Sequence, residues 1–106
     1  MKMINEIKGF EEFEGYGITS CGRVYSFKTK RFLKPTNKHG YLYVHLTNGT
    51  QHSKNVRIHR LVALAYIPNP NNYDTVDHID FIKEHNSINN LRWLPNSINC
   101  KRKKVD

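Results

Sequence analysis

The sequence predicts an α+β fold, in which a small antiparallel β-sheet is followed by a helix and then by a strand, a loop, a second strand and a helix. Three observations support this prediction. Residues 41–47 alternate apolar and polar side chains, as a half-buried strand does. Residues 59–67 carry apolar side chains at helical spacing and end at Pro68, which cannot continue a helix. Two short apolar segments, 75–79 and 91–94, flank a polar loop, which is typical of paired strands.

Length and composition indicate one domain with a modest core, or two small lobes that share one. The chain has 106 residues, of which 38% are hydrophobic, with five Phe, six Tyr and one Trp. We expect a β-rich module over 1–58 and, over 59–106, a helix followed by the strand–loop–strand–helix unit. The sequence contains no run of 18 apolar residues, which a membrane span would require, and no signal-peptide pattern. We therefore expect no membrane partner. Cys21 and Cys100 form no CxxC pair, which argues against a zinc ribbon and fits a reducing cytosol.

The positive charge is segregated along the chain. The net charge is +8, yet the nine acidic residues all lie at or before Glu14 or at or after Asp74. The stretch between them carries only positive charge, and a second basic run closes the chain at 101–104. An ordinary solvated face intersperses the two signs, so this segregation favours a partner that is a polyanion. The basic candidates for DNA contact are Arg23, Lys28, Lys30, Arg31, Lys34, Lys38, Lys54, Arg57, Arg60, Lys101 and Arg102.

The N-terminal part reads as short strands with turns. Residues 1–14 space their apolar side chains as either a short amphipathic turn or an extended cover strip, and both remain open. Segments 16–20 and 23–28 are strand-like on either side of a Cys-Gly turn. In the second of them, Val24 and Ser26 share one face. Residues 31–34 are a continuation of that strand or a third strand, and 35–40 are expected to be a loop.

The strand over 41–47 raises a question of register. Asn48-Gly49 resembles a tight hairpin turn. A two-residue turn, however, would put Val56 on the polar face of the hairpin. We therefore expect a longer loop, roughly 48–54, or a bulge before a strand over 55–59.

Four polar residues at the C-terminal end have the chemistry of a hydrolytic metal site. Asp77 and His78 close the first of the two late strands, Asn90 follows the loop, and Asn99 lies where a helix begins after Pro95. Asp and Asn supply the hard oxygen ligands that Mg²⁺ and Mn²⁺ prefer, and a histidine that binds no metal can accept a proton from water. Adjacent residues in a regular strand point to opposite faces, so we predict that the strand ends or bends at the pair.

With these residues in place, the sequence resembles the HNH endonucleases, and more narrowly the phage and intron-associated homing enzymes. The segments GYGITSCGRVYS, LKP, GYLYVHL and VRIHRLVALAYIPNP are similar to the β-rich module of that branch. The segments VDHID, NNLRW and SIN are similar to the ββα-metal (HNH, His-Me finger) motif itself. The likeness covers nearly the whole chain.

The resemblance implies a role for each polar residue. It implies that His78 is the general base and that Asp77 and Asn99 hold a divalent metal. Mg²⁺ is the ion expected first, with Mn²⁺ or another divalent ion as the alternative. Asn90 would tie the loop to the strand and help to fix the imidazole.

The implied function is a metal-dependent endonuclease that nicks double-stranded DNA in the cytoplasm, that of the bacterial host if a phage encodes it. A non-catalytic DNA-binding module on the same scaffold is the alternative, and the oligomeric state stays open, with a monomer preferred. The sequence also predicts Trp93 in the core, His59 in a structural hydrogen bond and His85 facing solvent. Phe81 and Ile82 are expected to pack against the protein and not to bind a partner.

Overall fold

A computed structural model of the protein describes residues 1–98. The described part is an α+β arrangement of short antiparallel strands around one α-helix, with a 3-10 turn near each end. The strands are β1 (Lys2–Met3), β2 (Tyr16–Ile18), β3 (Val24–Ser26), β4 (Arg31–Phe32), β5 (Thr36–Lys38), β6 (Tyr41–Thr47), β7 (Ser53–Arg57), β8 (Thr75–His78) and β9 (Leu91–Leu94). The helix α1 spans Ile58–Tyr66, the 3-10 turns span Ile4–Glu6 and Ile88–Asn90, and residues 96–98 are helical.

The first sheet has the order β1-β2-β3-β4 with antiparallel neighbours. Ile18 pairs with Val24 across the turn at 19–23. Val24 and Ser26 are both buried, which confirms the face predicted for them. Of the two alternatives for 31–34, the separate strand is correct, since Phe32 pairs with Tyr25.

The second sheet has the order β5-β6-β7. Its register excludes a two-residue turn at Asn48-Gly49, as the sequence predicted. Val44 pairs with Val56, so both side chains face the core, and the connection is the longer loop 48–52. The strand after it begins at Ser53, two residues earlier than expected, because the loop is shorter than the one predicted. It ends at Arg57, where α1 begins.

The prediction of a loop over 35–40 was wrong, because β5 lies inside it. Lys38 pairs with Tyr41, so only His39 and Gly40 connect β5 to β6. Both have positive φ, 55° and 89°. Such a pair is what a two-residue turn of type I′ requires, and its twist matches that of the paired strands. Histidine at the first position is a weak turn signal, which is why the hairpin is hard to see in the sequence.

The N-terminal strip is a series of short turns, which decides between the two readings of 1–14. Backbone N–H groups of Ile7, Phe10 and Phe13 each donate to the carbonyl three residues earlier, at 2.9–3.0 Å. A repeat of three residues places Ile4 and these three side chains on one side, and all four are buried.

One hydrophobic core runs through the described residues, from Ile4 near the N-terminus to Trp93 in β9. Helix α1 lies in its centre, with Leu61 and Val62 fully buried. The indole N–H of Trp93 donates to the carbonyl oxygen of Ile67 at 3.1 Å, so the prediction that Trp93 is a core residue is confirmed. No helix in residues 1–98 is long and apolar enough to cross a membrane.

Candidate active site

The β8–β9 hairpin presents the Asp-His pair at the end of a strand. Strand β8 stops at His78, and the N–H of Phe81 donates to the His78 carbonyl at 2.9 Å, which turns the chain. The predicted end of the strand at this pair is therefore confirmed. Across the hairpin, Asp77 pairs with Arg92 and His78 with Leu91. Both members of the pair are buried, at 6% exposure each.

The imidazole of His78 is held at one nitrogen by a residue that sequence reasoning did not single out. Its Nε2 lies 2.8 Å from Oδ1 of Asn86, in a buried contact. An amide oxygen can only accept a hydrogen bond, so Nε2 carries the proton. In the neutral ring the lone pair is then on Nδ1, which is the nitrogen able to take a proton.

Two further rings pack beside this imidazole. The His59 ring centroid lies 4.8 Å from that of His78, and Tyr41 stacks on His59 at 5.4 Å with 26° between planes. Tyr41 is also 6.1 Å from His78. His59 is buried at the start of α1, so the helix, β6 and β8 meet at these three rings. The structural hydrogen bond expected for His59 stays a prediction, and what the structure shows is its ring packed beside that of His78.

The loop between β8 and β9 closes on Asp80. Its carboxylate accepts hydrogen bonds from the Ile82 N–H at 2.9 Å and the Asn90 amide at 2.8 Å. It also lies 2.6 Å from Nδ1 of the exposed His85. The His85 hydrogen bond, together with those from Ile82 and Asn90, lowers the pKa of Asp80 from 3.8 to about 2, although partial desolvation opposes the change. The loop is therefore tied around an ionised carboxylate.

Asn90 connects this loop to the strand, which is the contact that the resemblance implies for it. Its amide donates to Asp80 and to the carbonyl of His85 at 2.9 Å, while its Oδ1 accepts from the Asp80 N–H at 3.1 Å. Its backbone carbonyl accepts from the N–H of Ile79 at 2.8 Å. The described contact that orients the His78 imidazole comes from Asn86 rather than from Asn90.

The expectation that Phe81 and Ile82 pack was wrong. Phe81 is 53% exposed and Ile82 is 56% exposed. The loop closes on the polar contacts of Asp80 instead of on an apolar cluster, and Phe81 has a φ of 65°. The turn therefore presents both side chains to solvent.

Asp77 is the predicted metal ligand that lies within the described residues. Asp77 is a buried carboxylate whose Oδ2 accepts from Nε of Arg92 at 3.1 Å, which holds it in place at the strand end. Asn99, the second predicted ligand, lies outside the described residues. Within residues 1–98, no group of three or more His, Cys, Asp or Glu side chains is arranged to hold a metal. This donor set fits an ion such as Mg²⁺, which uses one or two carboxylates and fills its other positions with water and phosphate oxygens.

The basic residues predicted to contact DNA are exposed where the structure describes them, but they do not form one surface. Lys38 and Arg57 lie with Tyr41 and Tyr43 on the outer face of the second sheet, which we call the basic-aromatic face. Nε of Arg57 donates to the Tyr43 hydroxyl at 2.8 Å, and its guanidinium carbon lies 4.8 Å from the Tyr41 ring centroid. Nζ of Lys38 lies 5.7 Å from the centroid of Tyr43.

The other basic candidates lie elsewhere. Lys54 pairs with the buried Leu46, and its Nζ lies 4.8 Å from the Phe10 ring centroid, so it faces the core side of β7. Arg60 lies against Trp93 and donates to the carbonyl of Asp74. Arg23 lies over Phe32 on the first sheet. Lys28, Lys30, Arg31 and Lys34 are exposed between β3 and β5, and Lys101 and Arg102 lie outside the described residues.

Lys83 connects the loop to the basic-aromatic face, and the sequence contained no signal for it. Its Nζ donates to the carbonyl of His39 at 3.3 Å and lies 4.8 Å from the centroid of Tyr41. Tyr41 therefore contacts two cationic side chains as well as the rings of His59 and His78. The basic-aromatic face and the histidine site are continuous.

Comparison with known proteins supports this description. A family model described as the NUMOD4 motif matches residues 5–47. The chain is 46% identical over 84 residues to an uncharacterized HNH endonuclease, L245, of Acanthamoeba polyphaga mimivirus, covering 78% of this chain and 25% of that protein. It is 37% identical over 95 residues to the DNA endonuclease I-HmuI of Bacillus phage SP01, covering 89% of this chain and 53% of that enzyme.

A solved structure is similar over most of the chain. The structure reported as DNA binding and cleavage by the HNH homing endonuclease I-HmuI matches with a TM-score of 0.76 and 36% identity. The match covers 92% of this chain and 55% of that one. The chain thus spans about a quarter of the mimivirus relative and about half of the phage enzyme.

Proposed function

This chain carries a NUMOD4 motif and is a homologue of the HNH endonucleases, and from that premise we propose that it is a metal-dependent endonuclease that nicks double-stranded DNA. The observation that carries the proposal is the buried His78 imidazole, which Asn86 holds at Nε2 and which directly follows the buried Asp77 in the chain. A base and a hard oxygen ligand on consecutive residues are what hydrolysis of a phosphodiester needs.

His78 acts as the general base through Nδ1. With the proton on Nε2 held by Asn86, the lone pair on Nδ1 accepts the proton of the attacking water. The imidazolium that forms keeps its Nε2–H bond to the amide oxygen. The neighbouring rings of His59 and Tyr41 hold the plane of the base, so little reorganisation accompanies proton transfer.

Asp77 and Asn99 would hold the divalent ion, with Mg²⁺ expected first. Such an ion, when bound, supplies positive charge next to the scissile phosphate and its leaving oxygen. Arg92 fixes the position of the Asp77 carboxylate by a charge-assisted hydrogen bond.

The basic-aromatic face is the proposed surface for the DNA backbone. Lys38 and Arg57 supply the positive charge that phosphates require, and Tyr41 and Tyr43 hold the guanidinium in place. Because Tyr41 also reaches the histidine site, DNA on this face lies next to the base.

A plasmid-nicking assay with and without Mg²⁺ tests the proposal. His78→Ala should lower the single-turnover rate about 10²–10⁴-fold, since that is what a general base contributes, and leave DNA affinity within about twofold. His52→Ala is the matched control, because His52 is exposed in the loop 48–52 and pairs with Glu12. Near wild-type cleavage by the His78 variant would contradict its assignment. DNA binding without any cleavage by the wild-type chain would favour the non-catalytic module.

The same assay tests the metal site. Asp77→Asn removes the anionic ligand and also breaks the ion pair with Arg92, so Arg92→Gln serves as control because it breaks only the pair. We expect Asp77→Asn to need far more Mg²⁺ than either the wild type or Arg92→Gln. Equal Mg²⁺ dependence for Asp77→Asn and Arg92→Gln would show that Asp77 acts only through the pair.

A further inference from the structure

The turn between β2 and β3, residues 19–23, lies directly against the loop that carries Asn86. We propose that this turn is a positioning element of the active site, which places Asn86 and through it sets the proton on the His78 imidazole. The turn belongs to the segment that matches the NUMOD4 motif. Its effect on catalysis rests on the proposed function, whereas its effect on the imidazole does not.

Gly22 and Asn86 are in close contact. A Cβ atom built on Gly22 would lie 2.7 Å from Cβ of Asn86 and 2.9 Å from its backbone oxygen. Real Cβ atoms essentially never approach that closely, and the backbone oxygen cannot rotate away as a flexible side chain does. Only glycine at this position lets Asn86 occupy its observed place.

A backbone hydrogen bond secures the other side of Asn86. The N–H of Ile88 donates to the carbonyl of Ser20 at 3.0 Å. Asn86 thus contacts Gly22, and Ile88 is bonded to Ser20. More than sixty positions separate the two segments in the sequence.

The turn itself is internally bonded. The N–H of Thr19 donates to the Arg23 carbonyl at 2.9 Å, and the N–H of Gly22 donates to the Thr19 carbonyl at 3.1 Å. The N–H of Arg23 also donates to the Thr19 hydroxyl at 2.9 Å. These three hydrogen bonds fix the conformation of the turn against which the loop packs.

The position of Asn86 affects catalysis because it determines which tautomer of His78 is favoured. Asn86 is buried, and its Oδ1 is the acceptor of the Nε2 proton at 2.8 Å. The hydrogen bond to that acceptor favours the tautomer protonated at Nε2, which is the one with its lone pair on Nδ1. Displacing Asn86 therefore reduces the fraction of His78 that is ready to act as base.

Gly22→Ala is the central variant, and two other glycines provide matched controls. Gly22 has a φ of +89°, so alanine is strained there even without the contact. Gly9, at +94°, has nothing within 4 Å of a built Cβ, and Gly49, at +82°, meets only the end of the Lys28 side chain at 3.6 Å. Gly9→Ala and Gly49→Ala therefore introduce similar backbone strain without touching the loop.

The first readout is the single-turnover cleavage rate beside the DNA dissociation constant. We expect Gly22→Ala to cut about tenfold or more slowly than Gly9→Ala and Gly49→Ala, since small misplacements at a reacting centre cost this much. Its DNA affinity should stay within about twofold of theirs. The double variant Gly22→Ala/Asn86→Ala should be no slower than Asn86→Ala alone, because both changes remove the same contact.

The second readout is the ¹⁵N spectrum of the His78 ring in the DNA-free protein. The wild type and both control variants should show protonation at Nε2, and Gly22→Ala should show a mixture of tautomers. Thr19→Val, which removes the hydroxyl acceptor of the turn, should show the same change to a smaller extent and serves if Gly22→Ala does not fold.

A Gly22→Ala protein with the tautomer and the cleavage rate of the Gly9→Ala control would overturn the proposal. If the wild-type chain does not cleave DNA at all, the proposed function fails, and the ¹⁵N spectra still decide whether the turn positions the imidazole.

Discussion

At the scale of single residues, the loop beside the histidine depends on one carboxylate. The Asp80 carboxylate contacts the Ile82 N–H, the Asn90 amide and the His85 imidazole. It therefore connects the beginning of the loop with its end. These donors favour the ionised form, and the pKa of Asp80 falls to about 2. A group whose pKa is lower in the folded than in the unfolded chain stabilises the fold only while it is ionised.

This gives a pH dependence with a definite sign. The contribution of Asp80 should be fully present above the ordinary value of 3.8 and lost as the pH falls through about 2. Urea unfolding of the wild type and Asp80→Asn from pH 7 to pH 2 should therefore show a gap that is constant at high pH and closes between these values. His85→Asn removes the largest cause of the lowered pKa, so in this variant the contribution of Asp80 should be smaller and should be lost completely at a higher pH. A gap between wild type and Asp80→Asn that does not close with acid would contradict this account.

At the scale of secondary-structure elements, the pairing of β6 with β7 places basic side chains on opposite faces of the second sheet. Strand register places Arg57 opposite Tyr43 on the outer face and Lys54 opposite the buried Leu46 on the inner one. Lys38 reaches the outer face through β5. Charges of the same sign and similar exposure thus have different access to a duplex laid on the basic-aromatic face.

Salt dependence of DNA binding distinguishes these two groups. Replacing both Lys38 and Arg57 by Gln should reduce the slope of log affinity against log salt by up to about 1.8, since each phosphate contact contributes about 0.9. Lys54→Gln, on the inner side, should leave the slope nearly unchanged. Fluorescence anisotropy with a labelled duplex, over roughly 50 to 300 mM salt, measures the slope for each variant. A larger change from Lys54→Gln than from the double variant would move the DNA to another face.

At the scale of the whole molecule, the N-terminal strip and the late hairpin share one core. Ile4 is fully buried and belongs to the same cluster as Trp93, which lies almost at the other end of the described chain. Because burial is shared in this way, we expect residues 1–98 to unfold as one cooperative unit.

Trp93 is the only tryptophan in the sequence, so its fluorescence reports on the β8–β9 hairpin. Ile4→Ala should lower the free energy of unfolding by about 2–5 kcal/mol, as loss of a fully buried isoleucine does. The fluorescence and circular dichroism transitions should shift together. Ile82→Ala, at an exposed position, should change stability by no more than about 0.5 kcal/mol. Separate transitions for the two probes in Ile4→Ala would show that the strip and the hairpin are independent.

The sequence alone was sufficient for features that depend on neighbours along the chain. Alternation over Tyr41–Thr47 predicted β6 with its bounds, and helical spacing before Pro68 predicted α1 to within a residue at each end. The conflict between a two-residue turn and the position of Val56 predicted the longer loop before β7. The end of a strand at the Asp-His pair and the likeness to HNH endonucleases also came from ordered local motifs.

Only the tertiary structure decided which distant residues meet. The seat of Asn86 on Gly22, the rings of Tyr41 and His59 beside His78, and the place of Lys54 on the inner side of β7 all join separate segments. Periodicity carries information about one element's buried face, but not about which other element covers it. Asn86 is one amide among several polar residues in its loop, and packing of the β2–β3 turn against that loop is what brings its oxygen to the imidazole.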